Sequence, residues 1–169
     1  KNYTTSDGVI FLGGKNVVGL TGSVSGATSF SDLMEIRNET DGKIFIYTQN
    51  NSASEYSIGM SGNYTKLTNN GGIYLGIIPG TTVISDTVSG FTGINSNTDS
   101  SKNLNFIGMY GIGTKLENYS IISDRPTNTL TNNSEKGIGM YGKKSNSSGS
   151  ILNNGTINIG LKGIGILGE

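Results

Sequence analysis

The pentapeptide Ile107-Gly108-Met109-Tyr110-Gly111 returns unchanged at Ile138-Gly139-Met140-Tyr141-Gly142. Softened copies stand at Val18-Gly19-Leu20-Thr21-Gly22, Ile58-Gly59-Met60-Ser61-Gly62 and Ile164-Gly165-Ile166-Leu167-Gly168, all fitting apolar, Gly, apolar, variable, Gly. Repetition constrains a chain more than any isolated motif, because every copy has to be given the same kind of place in the fold. In a strand, alternate side chains face opposite ways. The first and third residues of each copy are therefore expected on a buried face, with the glycine and the variable residue on the other. A short strand that recurs along the chain reads as one strand per turn of a stacked solenoid.

A second element alternates with the first. Asp7 to Gly13, Asn70 to Gly76 and Asn154 to Gly160 share the pattern Asn or Asp, Gly, any, apolar, any, apolar, Gly. Asp41 to Ile46 matches without the last glycine, and Asn118 to Ser123 is a decayed copy. Asn-Gly and Asp-Gly tolerate positive φ, so each copy is expected to be a tight corner leading into a second strand. Asn70, Asn118 and Asn154 are expected to stack as an internal ladder of amides. Asp32 to Arg37 is read as part of a third strand.

The second element starts at 70 and then at 118, and the first at 58 and then at 107, giving gaps of 48 and 49 residues. Each is near twice a period of roughly 25 to 30. A degenerate copy is therefore expected within 77 to 106, with Val83-Ile84 and Phe91 to Ile94 as remnants. The expected fold is all-β, a right-handed parallel β-helix (solenoid) of about six turns with loop insertions, and residues 1–169 form one segment of it. Handedness follows the general preference of parallel crossovers. The expected core is Ile10, Leu12, Val18, Leu20, Ile44, Ile46, Ile58, Met60, Ile73, Leu75, Ile107, Met109, Ile121, Ile138, Met140, Ile157, Ile159, Ile164 and Ile166.

Composition narrows the function classes. The 169 residues include 27 Gly and no Cys, His or Trp, and the 12 basic residues balance the 12 acidic ones. A neutral, thinly charged surface has no electrostatic footprint for nucleic acid or an anionic membrane. No apolar run approaches the roughly 18 residues of a membrane span, so no membrane insertion by this segment is expected. The chain starts at Lys1 without a signal peptide and stops just after a repeat at Glu169, which reads as a segment of a longer protein. Without Cys there is neither a disulfide staple nor a thiolate metal site, as suits a surface protein that crosses an oxidising compartment unfolded.

Lack of His and Cys also removes the usual nucleophile, general-base and metal constellations. Asp41, Glu39, Asp86, Asp99, Asp124 and Glu135 remain as carboxylates that a glycoside-cleaving or calcium-dependent site would use. They are read as solvated loop and turn residues, so no enzyme, cofactor or metal is expected. The Asn-X-Ser/Thr triplets at Asn2, Asn38, Asn50, Asn63, Asn118, Asn132, Asn146 and Asn154 match the glycosylation pattern by chance in so Asn-rich a chain. Gly13-Gly14 and Gly71-Gly72 lack the following Asp of a calcium-binding roll. Tyr110 and Tyr141 have two readings: an outward aromatic stripe able to stack on a sugar ring or a protein partner, or covered packing residues. The same two readings apply to Tyr74, Phe45 and Phe11. Among the variable loops, Ser29, Phe30, Asn97 and Asp99 join the two tyrosines as the candidate binding surface. The repeat residues Gly108, Met109, Gly111, Gly139, Met140 and Gly142 are structural.

The run Asn153-Asn154-Gly155-Thr156-Ile157-Asn158-Ile159-Gly160, followed by Lys162-Gly163-Ile164-Gly165-Ile166-Leu167-Gly168, together with Lys136-Gly137-Ile138-Gly139-Met140-Tyr141-Gly142, resembles the passenger repeats of type V autotransporter adhesins of fusobacteria, the RadD-like group. The likeness covers nearly the whole chain, strongest over 107 to 169 and weakest over 77 to 106. It implies a long right-handed parallel β-helix exported through an outer-membrane barrel and displayed on the bacterial cell surface. Its implied partners are a host cell-surface protein or glycan, or another bacterium. The family's binding positions are not carried in these repeats. A polysaccharide-processing β-helix of the tailspike or lyase kind, and a spacer without a ligand, are the alternative functions.

Overall fold

A computed structural model describes residues 3–4, 8–13, 16–25, 34–47, 56–75, 77–79, 94–96, 105–123, 136–145, 149–159 and 163–169. Among these residues the protein is all-β and contains no helix. The chain visits three sheets in a fixed order, five times. The first pass is β1 (Tyr3–Thr4), β2 (Val9–Gly13) and β3 (Val18–Ser23). The second is β4 (Met34–Asn38), β5 (Lys43–Tyr47) and β6 (Ser57–Asn63). The third is β7 (Thr65–Asn69), β8 (Gly72–Leu75), a side excursion carrying β9 (Ile77–Pro79) and β10 (Ile94–Ser96), and then β11 (Asn105–Ile112). The fourth is β12 (Lys115–Asn118), β13 (Ile121–Ser123) and β14 (Lys136–Lys143), and the last is β15 (Ser150–Asn153), β16 (Thr156–Asn158) and β17 (Ile164–Gly168).

Strands of successive passes lie side by side and parallel. Sheet 1 is β1-β4-β7-β12-β15, sheet 2 is β2-β5-β8-β13-β16 and sheet 3 is β3-β6-β11-β14-β17. Register follows the repeats: Met109 pairs with Met60 on one side and Met140 on the other, and Met140 pairs with Ile166. Copies distant in sequence are therefore neighbours in space, as the repetition predicts. Met34 to Arg37 do belong to a third strand, β4, while Asp32 and Leu33 lie outside the described residues.

The number of passes differs from the six expected. Met60 pairs directly with Met109, and Leu67 with Leu116, so no pass intervenes between them. Within 77 to 106 the described part apart from the start of β11 is an antiparallel pair, with Ile94 opposite Pro79 and Ser96 opposite Ile77. Val83, Ile84 and Phe91 lie outside the described residues.

The core cluster is built from one column per sheet. Ile36, Leu67 and Leu116 come from sheet 1, Ile44, Ile73 and Ile122 from sheet 2, and Leu20, Met60, Met109 and Met140 from sheet 3, joined by Ile46, Leu75 and Phe106. Ile10, Leu12, Ile151, Ile157 and Ile159 pack against it half-buried. Each fully buried side chain of this kind stabilises by about 1.5–3 kcal/mol.

Three parts of the expected core are corrected. In sheet 3 the pairing runs from residue 107 to residue 109 and passes over the glycine. A Cβ on Gly108 would collide with the side chain of Ile122, on Gly59 with Ile73 and on Gly139 with Ile157. Glycine and methionine thus both face the core, and simple alternation fails at this residue. Ile107 and Ile138 are buried but do not join the core cluster, Ile58 is half-buried, and Val18 and Ile164 are exposed. Ile166, facing the core side, is also exposed because among the described residues no strand lies beyond β17 to cover it. In sheet 2 it is Ile122, not Ile121, that aligns with Ile73 and is buried.

The corners also work differently from expectation. None of Gly42, Gly71 and Gly155 has positive φ; the described positive-φ residues are Asn16, Tyr64 and Gly113. Gly71 is needed for close approach instead, since a Cβ there would run into the carbonyls of Gly42 and Glu39. Beside this corner runs the amide ladder. Asn38 Nδ2 donates to Asn69 Oδ1 at 2.8 Å, Asn69 Nδ2 to Asn118 Oδ1 at 2.7 Å, and Asn118 Nδ2 to Asn153 Oδ1 at 2.7 Å. The ladder exists with Asn118 in it, but Asn70 and Asn154 are each one residue too far along: Asn70 is half-buried and Asn154 exposed.

Candidate functional site

Sheet 3 turns one column of side chains away from the core: Thr21, Ser61, Tyr110, Tyr141 and Leu167, paired strand to strand. The second glycine of each repeat sets the strand against sheet 1, because a Cβ on Gly62, Gly111 or Gly142 would meet Leu67 at 3.2 Å, Leu116 at 3.0 Å or Ile151 at 2.9 Å. With Gly111 inward, Tyr110 is directed outward. Tyr110 and Tyr141 are half-buried, their rings 5.2 Å apart and tilted by 56°. That geometry lies within the favourable range for aromatic pairs.

Tyr141 is further fixed by Glu169, whose Oε2 accepts its hydroxyl hydrogen at 2.7 Å. The carboxylate hydrogen-bonds the neutral phenol and repels a phenolate, so the Tyr141 hydroxyl is pushed up to about 12. Glu169 also lines a cleft of about 340 Å3 together with Lys143, Lys144, Ser150 and Thr114. The aromatic pair and the cleft thus meet at Glu169, which holds the Tyr141 hydroxyl and lines the cleft. Apolar ring faces flanked by donors and acceptors are what a sugar or a polar peptide surface requires of a binding site.

Other expected members fall elsewhere. Ser29, Phe30, Asn97 and Asp99 lie outside the described residues, as do Asp86, Asp124 and Glu135. Phe45 and Tyr74 stack at 4.9 Å and 17°, but both are buried outside the core cluster, so they are packing residues. Burial pushes the Tyr74 hydroxyl up. The side chain of Phe11 is outside the described residues.

The charged network on sheet 1 was not anticipated. Lys66 Nζ bridges Glu35 at 3.1 Å and Glu117 at 3.2 Å, Arg37 Nε holds Glu35 at 2.9 Å, and Lys115 holds Glu117 at 2.7 Å. Thr68 donates to Glu35 and Tyr119 to Glu117, each at 3.2 Å. Burial alone would raise both carboxyls, but the hydrogen bonds and charges of Arg37, Lys66 and Lys115 outweigh it and hold them below the usual range. For Lys66, burial is likewise outweighed by its two carboxylates, which push it up. Glu35-x-Arg37 and Lys115-x-Glu117, opposite charges two apart on one strand face, are the trace of it in the sequence. The groups are mutually neutralised and offer neither a general acid nor a free base. Among the described residues no three Asp or Glu side chains gather as a metal would need.

No family model, curated protein or solved structure matches the chain.

Proposed function

We propose that the chain is a segment of a bacterial cell-surface adhesin: a right-handed parallel β-helix of five turns, without enzymatic activity, that presents loops and one aromatic corner to a host receptor, a host glycan or another bacterium. The handedness rests on the preference of parallel crossovers. The fixed order in which the chain visits its three sheets supports the helix. The observation that carries the binding role is the outward Tyr110–Tyr141 pair beside the cleft of Lys143, Lys144 and Glu169. Stacking there suits a pyranose ring or an exposed peptide segment. The pairing of Glu35 and Glu117 with cations supports a non-catalytic role.

A glycan array and a pull-down with host-cell surface proteins, run with the unaltered chain and with the Tyr110→Ala, Tyr141→Ala double variant, test this. Binding by the first and its loss in the second is expected. Retained binding would move the site to the loops, and deletion of 23 to 32 or 85 to 103 would then locate it. Cleavage products from capsular or plant polysaccharides would replace the reading with an enzymatic one.

A further inference from the structure

The outward column of sheet 3 reads Thr21, Ser61, Tyr110, Tyr141, Leu167, so within it the third and fourth passes alone set two phenols side by side. Both stand on inner strands, β11 and β14, with β6 on one side and β17 on the other. Parallel pairing in register holds their backbones about 4.8 Å apart. With the ring centroids 5.2 Å apart and the planes tilted by 56°, the ring edges are within reach of each other. Tyr74, by contrast, stacks on Phe45, a ring without a hydroxyl, and both are buried.

The rest of the chain leaves these phenols with little competition for an oxidant. It has no Cys and no Trp, and Met60, Met109 and Met140 are shut in the core, where thioethers are shielded. A phenol gives up an electron readily only if its hydroxyl proton leaves as well, because the radical cation is a strong acid. Tyr141 has an acceptor in place, Glu169 Oε2 at 2.7 Å, a short charge-assisted bond. The hydrogen bond and charge of Glu169 keep the resting phenol protonated, its hydroxyl pushed up to about 12. The same carboxylate gives the proton a place to go once the electron departs.

We propose that Tyr110 and Tyr141 are an oxidative cross-linking site: a one-electron oxidant, of the kind a haem peroxidase makes from hydrogen peroxide, joins them as dityrosine, with Glu169 taking the Tyr141 proton. Each phenol loses one electron and its hydroxyl proton and becomes a phenoxyl radical. The two radicals couple through the ring carbons next to the hydroxyls, forming one C–C bond. The hydrogen on each of those carbons then moves to oxygen, which restores both phenols. In sum two C–H bonds are replaced by one C–C bond, and the two electrons and two protons released reduce one hydrogen peroxide to two waters. The product staples the third pass to the fourth in a chain that has no cysteine to do so. Closing the intervening loop covalently restricts the unfolded chain, as a disulfide does.

Treatment of the dilute, intact chain with a haem peroxidase and hydrogen peroxide tests the proposal without any ligand, so its outcome is separate from that of the binding experiments. The expected product is a monomer with dityrosine fluorescence, lighter by two hydrogens, in which peptide mapping joins the segment containing Tyr110 to that containing Tyr141. It should melt several degrees above the untreated protein. Tyr110→Phe and Tyr141→Phe keep the ring packing and should each abolish the intramolecular product. Glu169→Gln, which can still accept the hydrogen bond but not the proton, should leave the thermal melt of the untreated protein unchanged and slow the coupling several-fold. A monomer that loses no hydrogens, a cross-link that maps to another pair, products formed only between molecules, or a Tyr110→Phe chain that couples internally as the parent does would each overturn the site. An unchanged rate in Glu169→Gln would overturn the role of the carboxylate.

Discussion

Met109 and Ile166 hold the same place in the repeat, two strands apart in one sheet, yet Met109 is 0% exposed and Ile166 49%. The sequence around them hardly differs: Gly precedes each, and Gly follows two residues later. What differs is the presence of a strand on both sides. Burial here is conferred by neighbouring passes and not by the repeat itself, as in other stacked architectures where each unit contacts only the next.

The sharpest way to break this comparison is to place the same charge at both ends of it. Met109→Asp loses the methionine's burial and leaves a carboxylate in an apolar interior, a cost of several kcal/mol against a typical total of about 5–15. Ile166→Asp should cost under about 0.5 kcal/mol, as for exposed positions generally. Circular dichroism melts of the two variants check this, and equal losses would break the contrast between middle and end.

Much of the architecture was legible for the same reason. Identical pentapeptides demand equivalent places, and stacked strands provide them. Sheet 1 was anticipated only at β4, because β7 and β12 each carry a single strong apolar residue, as Leu67 does in Thr65-Lys66-Leu67-Thr68, between polar ones. Its outward positions hold ion pairs whose partners come from other passes, which spacing along one strand does not reveal. The surplus turn arose because the excursion through 77 to 104 is nearly as long as one pass. Alternation mis-assigned Ile107 because glycine lets the strand bend so that two consecutive residues face inward. In the ladder, the doublets Asn69-Asn70 and Asn153-Asn154 left two candidates at each corner, and the Gly that follows drew the choice to the wrong one. Of the candidate site, Tyr110 and Tyr141 were legible as equivalent residues on the face opposite the methionines, with an open stripe and covered packing both left as readings, and Glu169 became visible only when β17 was set beside β14.

The amides extend the comparison to polar residues. Asn69→Leu removes the middle of the ladder, leaving Asn38 Nδ2 only the Gly72 carbonyl and Asn118 Oδ1 only the Ser120 N–H, and should cost about 1–3 kcal/mol. Asn154→Leu, one residue beyond the ladder in the last pass, should cost a few tenths. Urea unfolding distinguishes them. Reversed magnitudes would put the ladder back on the second asparagine of each doublet.

The smallest effect concerns charge. Lys66 in a middle pass is flanked by Glu35 and Glu117, whereas Ser150 closes the same column in the last pass. Because both carboxyls are held below their ordinary value of 4.5 in the folded state, the unfolded chain takes up protons first. Their contribution is complete above that value and is lost as pH falls through the lower folded values. Lys66→Met should reduce stability at neutral pH by about 1 kcal/mol and flatten this acid-side decline. Ser150→Met should leave the decline as it is. Thermal melts from neutral pH down to pH 3 read both.

In the ladder Asn38, Asn69 and Asn118 each donate toward the following pass, Asn153 donates to the Gly155 carbonyl of its own pass, and Asn38 Oδ1 at the start accepts from no described group. Aligned dipoles polarise one another, so the row acts as an internal arrow running from the second pass to the last, with its acceptor end at Asn38. The stacked sheets therefore have a built-in sense of direction, written in their side chains as well as in their backbone.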